Sequence, residues 1–551
     1  MRWPSDPAHR EKLGFRYRAL RWFTRQITAT WFREFSIIGD DLIPKRGGVL
    51  HIAWHAGAMV DPMVMFSGIP GRLTFVAKHT LFQVPGLSML LNAAGAQAAY
   101  RVEDEVSPAG ESDGDGSRGS GRGSGNEAMI QKMAELLAEG KHCAIYPEGK
   151  AHLSPKPVTI KTGPARILLQ AIRNARAQGA PDPNMIPIGL HYTDQHRFRE
   201  RALMEIHRAI ETPPLPGEDN APEVNEKLVK EFGSEAAGDR AWVLAVTDII
   251  ETELNRTSIG MESWGDRHML WRTRSLVHQA RRAKAGKGPA RQPYAEAIVA
   301  ARRVRAVYQW LEHEQPEKAD EMRDLVQQHH RSMKEYDLKE FEMFQRRKRP
   351  SPLRLIRSLC WLSWCWFWML GLVGWSAMIG NFVPYRVAGI ITKKIAVNDK
   401  TGVGSYKVLL SVILLPLWWI IISMPFAWSI STIVHSVDIP DVGILIPYAL
   451  RLVRSVPWWV LGLLLMVVWP VAARQHMRLY ARTSRAWRGV KRWFRLRDDS
   501  IPWAEIKERQ QRLAEMLLKM GDSFILPGDA EWRDPPTGQE DWQVITPKSV
   551  G

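Results

Sequence analysis

Cysteine is almost absent: three in 551 residues, Cys143, Cys360 and Cys365, the last two inside an apolar stretch. That excludes a disulfide framework and points to a reducing environment for the soluble part. The N-terminal end lacks an apolar run of signal-peptide type, so no secretory leader is expected. No internal repeat of solenoid period is present. Acidic residues fall short of basic ones, 58 against 75, for a net charge of +17. Yet the usual nucleic-acid motifs are missing, so no nucleic-acid partner is expected. The excess cations cluster in 272–305 and beside the most apolar runs, where a bilayer with anionic headgroups accounts for them more simply.

What the chain does have is long uncharged runs near its C-terminus, at 359–383, 409–433 and 456–473. About 20 apolar residues at ~1.5 Å each are needed to cross a bilayer core. All three qualify on length, and their grouped tryptophans, Trp361, Trp418, Trp458, Trp459 and Trp469, suit interfacial anchors. Basic flanks lie on both sides of the block, Arg346–Arg349 before it and Arg474 to Arg488 after it. Both flanks favour the cytoplasmic side, which calls for an even number of crossings. The expected arrangement is a re-entrant 359–383, broken at Gly371, Gly374, Gly380 and Pro384, followed by a hairpin of spans 409–433 and 456–473. At the other end, Phe15–Trp31 is basic and amphipathic, with Leu20, Phe23, Ile27 and Trp31 on one face and Arg18, Arg21 and Arg25 on another. It reads as a helix lying in the membrane interface within 1–34, or alternatively as an ordinary core-packed helix.

The chemistry-bearing stretch is Gly48-Val-Leu-His-Ile-Ala-Trp-His55-Ala-Gly-Ala-Met-Val-Asp61-Pro62. An apolar strand should deliver His55 to a loop, and Asp-Pro should open the next helix, with Asp61 at its mouth. A carboxylate there can hold one imidazole nitrogen protonated and leave the other as a base. The plainer alternative is a capped helix beside a structural histidine. Further along, Gly95-Ala-Gln-Ala-Ala-Tyr-Arg101 is a glycine turn and short strand ending in a cation that can fork onto a phosphate. Cys143-Ala-Ile-Tyr146-Pro-Glu148-Gly149-Lys150 is a strand-to-turn junction in which Glu148 can accept a substrate hydroxyl and Gly149 allows close backbone approach. Lys150, Lys161 and Arg166 add positive charge, and His152 is a further site candidate, whereas His79 and His142 read as structural or surface residues. The last block runs Ile186-Pro-Ile-Gly189-Leu-His-Tyr192 to Phe198-Arg-Glu-Arg201.

Taken in order, these blocks resemble the four motifs of the glycerolipid acyltransferases, the family that holds glycerol-3-phosphate and lysophosphatidate acyltransferases. The resemblance covers about 35–212 and implies an α/β fold, a sheet flanked by helices with the motifs around one cleft. It implies acyl transfer from acyl-CoA or acyl-carrier protein to glycerol 3-phosphate or 1-acylglycerol 3-phosphate, with His55 and Asp61 catalytic. Arg101, Glu148, Gly149, Lys150, His152 and Lys161 would bind substrate, with no metal or resident cofactor. Cys143, inside a strand, is not expected as a nucleophile, and a backbone N–H near Gly57 is the candidate oxyanion donor. Four departures bear on substrate choice: five residues rather than four between His55 and Asp61, Trp54 where asparagine is common, Ala56-Gly57 in place of more polar residues, and Lys150-Ala151 in place of Thr-Arg.

The remaining segments are a flexible polar insertion at 104–126, a helix resuming at Glu127 with Ile130, Met133 and Leu137 on one face, and a charged helical region at 223–350. Beyond the membrane block of 359–473 comes a basic cytoplasmic tail, 474–551, with a helix near 501–520 and a loose end from 527. The whole reads as an integral membrane enzyme of phospholipid synthesis with its catalytic domain on the cytoplasmic face, in a bacterial inner membrane rather than the endoplasmic reticulum. A non-catalytic membrane scaffold that keeps the fold and binds anionic lipid is the alternative.

Overall fold

The computed structural model describes residues 3–4, 13–83, 87–99, 120–338, 351–395, 401–437 and 445–548. They form two units, one of 1–345 with 504–551 and the other of 346–503.

The first unit is an α/β structure. Its elements run α1 (Phe15–Trp31), β1 (Glu34–Ile38), β2 (Val49–Ala53), α2 (Val60–Gly68), β3 (Leu73–Lys78), α3 (Leu87–Ala94), β4 (Gln97–Ala99), α4 (Ser120–Ala138), β5 (His142–Ile145), α5 (Gly163–Ala177), β6 (Asn184–Tyr192) and β7 (Arg201–Ile206). The sheet order is β1-β7-β6-β2-β5-β3-β4, parallel throughout except where β7 meets β6. β2 is central and every residue in it is buried, as a strand covered on both faces requires. From β2 the chain moves to β3 on one side, and from β5 it later crosses to β6 on the other. Such a switch point opens a crevice at the carboxyl ends of the strands. Gly48 lets β2 start there: a Cβ on it would stand 2.1 Å from the Leu137 carbonyl oxygen.

One core packs Leu50 and Ile52 against Met133 and Leu137 of α4 and Leu168 and Ile172 of α5. Helix α4 starts at Ser120, seven residues before the expected Glu127, so the polar Ser/Arg/Gly run is taken up in its first turns. It ends as expected, with Gly140 at φ +82°. Residues 104–119 of the anticipated insertion lie outside the described residues.

The charged region forms α6 (Glu226–Phe232), α7 (Ser234–Ser258), α8 (Trp264–Lys284), α9 (Tyr294–Glu314) and α10 (Pro316–Glu335). Trp242, Val246 and Ile250 of α7 join the core beside the sheet. A second core unites Met269, Tyr294, Tyr308 and Met322 with Leu513 and Leu517 of a helix at Trp503–Asp522 and with Phe524 and Ile545 beyond it. Residues 524–547 are therefore not a loose tail. Arg305, fully buried, holds Glu540 through bonds of 2.7 and 3.0 Å, and Gly538 N–H donates to Glu253. Phe524–Ile525 and Thr546–Pro547 pair as two short strands. These charges read as solvated in sequence because their partners lie more than two hundred residues away.

Two arginines of helix α1, Arg21 and Arg25, turn inward, whereas Arg18 stays exposed. Arg21 is buried and donates to the Ile69 and Gly71 carbonyls, while Arg25 donates to that of Ser67 at 3.0 Å. Carbonyls at the end of α2 lack helical partners, and the guanidinium groups supply them. Phe15, Trp22 and Phe23 are its exposed large apolar residues.

The second unit contains α11 (Pro352–Leu370), α12 (Leu372–Ile395), α13 (Val403–Ser436), α14 (Leu445–Ser455) and α15 (Trp458–Arg495). Two of its helices, α13 with 34 residues and α15 with 38, are long and apolar enough to cross a membrane. The pair α11 and α12 passes the same test together but is bent by 57° at the break. Large apolar side chains such as Phe367, Leu417, Trp428 and Val467 face outward. Not every tryptophan is an interfacial anchor. Trp469 is buried and donates to Ser423 Oγ at 2.8 Å, and Trp419 donates to the Gly380 carbonyl at 2.9 Å. Pro384, four residues on, has no N–H for that carbonyl, so the indole replaces the missing helical bond. The α16 helix (Trp503–Asp522) then returns the chain to the first unit.

Candidate active site

The loop after β2 carries His55, and the first turn of α2 carries Asp61. The longer spacer between them closes in a tight turn: Val60 N–H meets the Gly57 carbonyl at 3.0 Å and Asp61 N–H meets Ala58 at 3.2 Å. Ala58 absorbs the extra residue at φ +48°, a left-handed conformation costing about 1–2 kcal/mol for an alanine. The turn brings Asp61 Oδ2 to 2.9 Å from His55 Nδ1. Nδ1 therefore carries the proton and Nε2 is left as the acceptor. His55 keeps 14% of its side-chain surface, whereas Asp61 has none.

Asp61 sits inside the helix rather than capping it. Its Oδ2 also accepts Gly57 N–H at 2.7 Å, and its Oδ1 accepts the Tyr192 hydroxyl at 2.7 Å. The Gly57 N–H considered for an oxyanion is thus already bonded within the protein. Burial, then the Asp61 charge, raises Tyr192 well above the ordinary phenol range, so it stays a donor. Only glycine fits at 57, since a Cβ would stand 2.5 Å from Asp61 Oδ1.

The strand β5 adds the other side. The Tyr146 ring lies parallel to the His55 imidazole, with centroids 4.1 Å apart and planes 16° from each other. Glu148 is turned inward, not toward a substrate hydroxyl. Its Oε2 accepts His55 N–H at 2.8 Å, and its Oε1 accepts Val158 N–H at 2.9 Å and His152 Nε2 at 2.5 Å. The His152 ring accepts Ser154 N–H on Nδ1 at 3.1 Å, and its Nε2 lies between Glu148 Oε1 and the Trp54 indole N–H, the latter at 3.2 Å. His152 N–H in turn meets the His55 carbonyl at 3.2 Å. The pair Glu148–His152 thus holds the backbone of His55 from both sides.

Gly149 adopts φ +70° with the Lys161 side chain against it, 3.2 Å from where a Cβ would be. Lys150 and Lys161 are exposed beside this turn. Arg166 is paired with Glu127 at 2.6 Å, which neutralises its expected charge. Arg101 lies outside the described residues. Cys143 is buried in β5 and its thiol is pushed up to about 12 by burial, which removes it as a nucleophile. His142 pairs with His51 in the core, nitrogen to nitrogen at 2.9 Å.

Sequence reasoning missed Tyr192 and the stacked Tyr146. Tyr192 lies on β6 four positions past Ile188, the partner of Ala53, so the β2–β6 register carries it beneath the His55 loop. The only local signal is an aromatic ending an apolar run. A cavity of about 220 Å³ lies elsewhere in the unit, among Thr273, Val277, Val304, Met322 and Leu517, and shares no residue with this group.

Residues 34–191 match the acyltransferase family model. The chain is 32% identical over 107 residues to glycerol-3-phosphate O-acyltransferase 1 of Saccharomyces cerevisiae, 19% of this chain and 13% of that protein. It is 32% identical over 114 residues to glycerol-3-phosphate O-acyltransferase 2 of the same yeast, again 19% of this chain and 14% of that protein. The chain thus matches about one seventh of the length of these relatives. A solved structure of the 1-acyl-sn-glycerophosphate (LPA) acyltransferase PlsC from Thermotoga maritima aligns over 43% of this chain and 79% of its own, at 14% identity and a TM-score of 0.26, too low to bear on the fold. Residues 34–191, which hold the His55–Asp61 pair, form an acyltransferase-family domain.

Proposed function

We propose that the protein transfers a fatty acyl group from a thioester, acyl-CoA or acyl-carrier protein, to the hydroxyl of glycerol 3-phosphate or its monoacylated product. The observation that carries this reading is the His55–Asp61 contact of 2.9 Å at the carboxyl edge of the central strand. His55 Nε2 takes the proton from the acceptor hydroxyl as its oxygen attacks the thioester carbonyl. A tetrahedral intermediate forms, and its collapse breaks the carbon–sulfur bond as the imidazolium returns the proton to the leaving sulfur, which departs as the thiol. Asp61 fixes the tautomer and stabilises the imidazolium, with Tyr192 and Gly57 orienting the carboxylate. The thioester is already activated, so no protein nucleophile is needed. Lys150 and Lys161, exposed beside Gly149, are suited to the acceptor phosphate together with Arg101.

The same reading places the enzyme in a membrane. Helices α13 and α15 supply two crossings, and the bent α11–α12 pair enters and returns on one side. Both ends of this block join a single folded unit, which supports an even number of crossings and a catalytic domain on the basic, cytoplasmic face. A bacterial inner membrane is the setting favoured.

The test is thioester consumption by the purified protein in bilayers, with glycerol 3-phosphate, lysophosphatidate or neither. Acceptor-dependent release of thiol that disappears in His55→Ala is expected. A folded wild-type protein that releases none with any acceptor overturns the enzymatic reading in favour of a scaffold.

A further inference from the structure

Tyr146 is not explained by the backbone it belongs to. It follows the last residue of β5, where any apolar side chain could close the strand end. Instead its ring lies flat on the His55 imidazole at 4.1 Å, within the range where a cation is attracted by a π face. Its hydroxyl is directed at Met65 Sδ, 3.3 Å away, so the phenol is anchored at its far end and the face, not the O–H, meets the histidine.

We infer that Tyr146 is a positioning residue for His55: its ring fixes the imidazole plane against Asp61 and stabilises the imidazolium formed when Nε2 gains a proton. The inference rests on the base role proposed for His55 only where turnover is concerned; the effect on protonation stands apart from it.

Among the described residues, other titratable groups meet His55 on its Nδ1 side and along its backbone. From α2, Asp61 faces Nδ1, and from β6, Tyr192 reaches only Asp61. Glu148 and His152 meet the His55 backbone N–H and carbonyl. None of these contacts depends on the Tyr146 ring, so changing the ring isolates its contribution. Burial, then the Asp61 charge, raises the Tyr146 phenol well above its ordinary range, so the ring remains neutral.

The sign follows from the geometry. A face that stabilises the protonated imidazole raises its pKa, so removing that face lowers it and leaves a weaker base. In the full-length protein in bilayers, the His55 titration is read by NMR of isotope-labelled histidine, assigned with His55→Gln. Tyr146→Leu should displace the measured His55 titration and the acidic limb of the rate profile to lower pH and lower kcat roughly tenfold, with KM little changed. Tyr146→Phe should keep the titration of the wild type, since the face is retained. Tyr146→Met provides a second non-aromatic side chain should the leucine variant fold poorly. An unchanged titration in folded Tyr146→Leu or Tyr146→Met overturns the inference, as does an equal shift in Tyr146→Phe. If the titration shifts as expected while wild-type thiol release is absent, it is the proposed reaction that fails and not the role of the ring.

Discussion

Two histidine–carboxylate pairs occupy the same sheet, and they differ in what closes them. His55–Asp61 stands at the end of β2, where the histidine keeps 14% of its side-chain surface. His191 on β6 meets Glu205 on β7 at 3.2 Å, but its side chain is only 1% exposed. Glu205 is also claimed by Arg302 at 2.7 Å and by His207 at 3.4 Å. Burial pushes Glu205 up, but Arg302 and both histidines outweigh it and hold it well below the ordinary range. Burial pulls His191 down more than Glu205 lifts it, with Arg302 and Arg267 adding to the fall. A resident cation has already answered that acid, so the second pair joins elements together. Asp61 is met instead by neutral donors, Gly57 N–H and the Tyr192 hydroxyl, and its charge is available to an imidazolium. Pairing alone therefore does not mark a base; an open edge and an acid without a cationic partner are what set His55 apart for the role proposed.

The largest effect should break the two pairs apart. His55→Ala is expected to lower kcat by about 10²–10⁴-fold with an unchanged melting temperature. His191→Gln should do the reverse, keeping turnover near normal while lowering the melting temperature; parallel assays and melts of both variants check this. Gly57→Ala comes next, with a loss on the order of 10²-fold, because its Cβ meets Asp61 Oδ1 and pushes the acid off the histidine. A crystal structure or a His55 titration matching wild type in that variant would contradict the account. Tyr192→Phe removes one of three donors to Asp61 and should cost roughly tenfold in kcat/KM, with KM nearly unchanged.

The smallest effect is one of pH. His191 is held neutral in the folded state, so protons favour the unfolded chain once the pH drops below its ordinary value of about 6.5. Stability should decline on acidification through that window. Glu205 contributes in the same direction in stronger acid, from the ordinary carboxylate range down to where its folded carboxylate is finally protonated. His329, pushed down to about 4 by burial and Arg509, acts likewise. Melts between pH 7.5 and 5.5 should therefore show a shallower loss in His191→Gln than in wild type, not its disappearance.

What could be read in the sequence follows contact range. His55 and Asp61 are six residues apart, and a strand, a turn and an Asp-Pro helix start suffice to bring them together. Glu148 was legible as a turn carboxylate, but its partners at 55, 152 and 158 come from three segments, so its inward orientation was not. The helical wheel of α1 separated arginines from apolar residues without saying which face meets the protein. Free carbonyls at the end of α2 decide it, and nothing in 15–31 records them. Arg305 and Glu540 show the same limit at its longest range.

The returning C-terminal segment has a consequence for how the protein is made. Residues 1–345 emerge from the ribosome first, yet the helical core they contain lacks Leu513, Leu517, Phe524 and Ile545 until the last stretch is translated. At ~5–20 residues per second, the 200 residues from 346 to Ile545 (545 − 345) take roughly 10 to 40 s to synthesise. Throughout that interval the apolar faces of α8, α9 and α10 wait uncovered, a natural target for chaperones. Deleting the final segment should therefore act as a folding lesion in the catalytic half, not as the trimming of a tail.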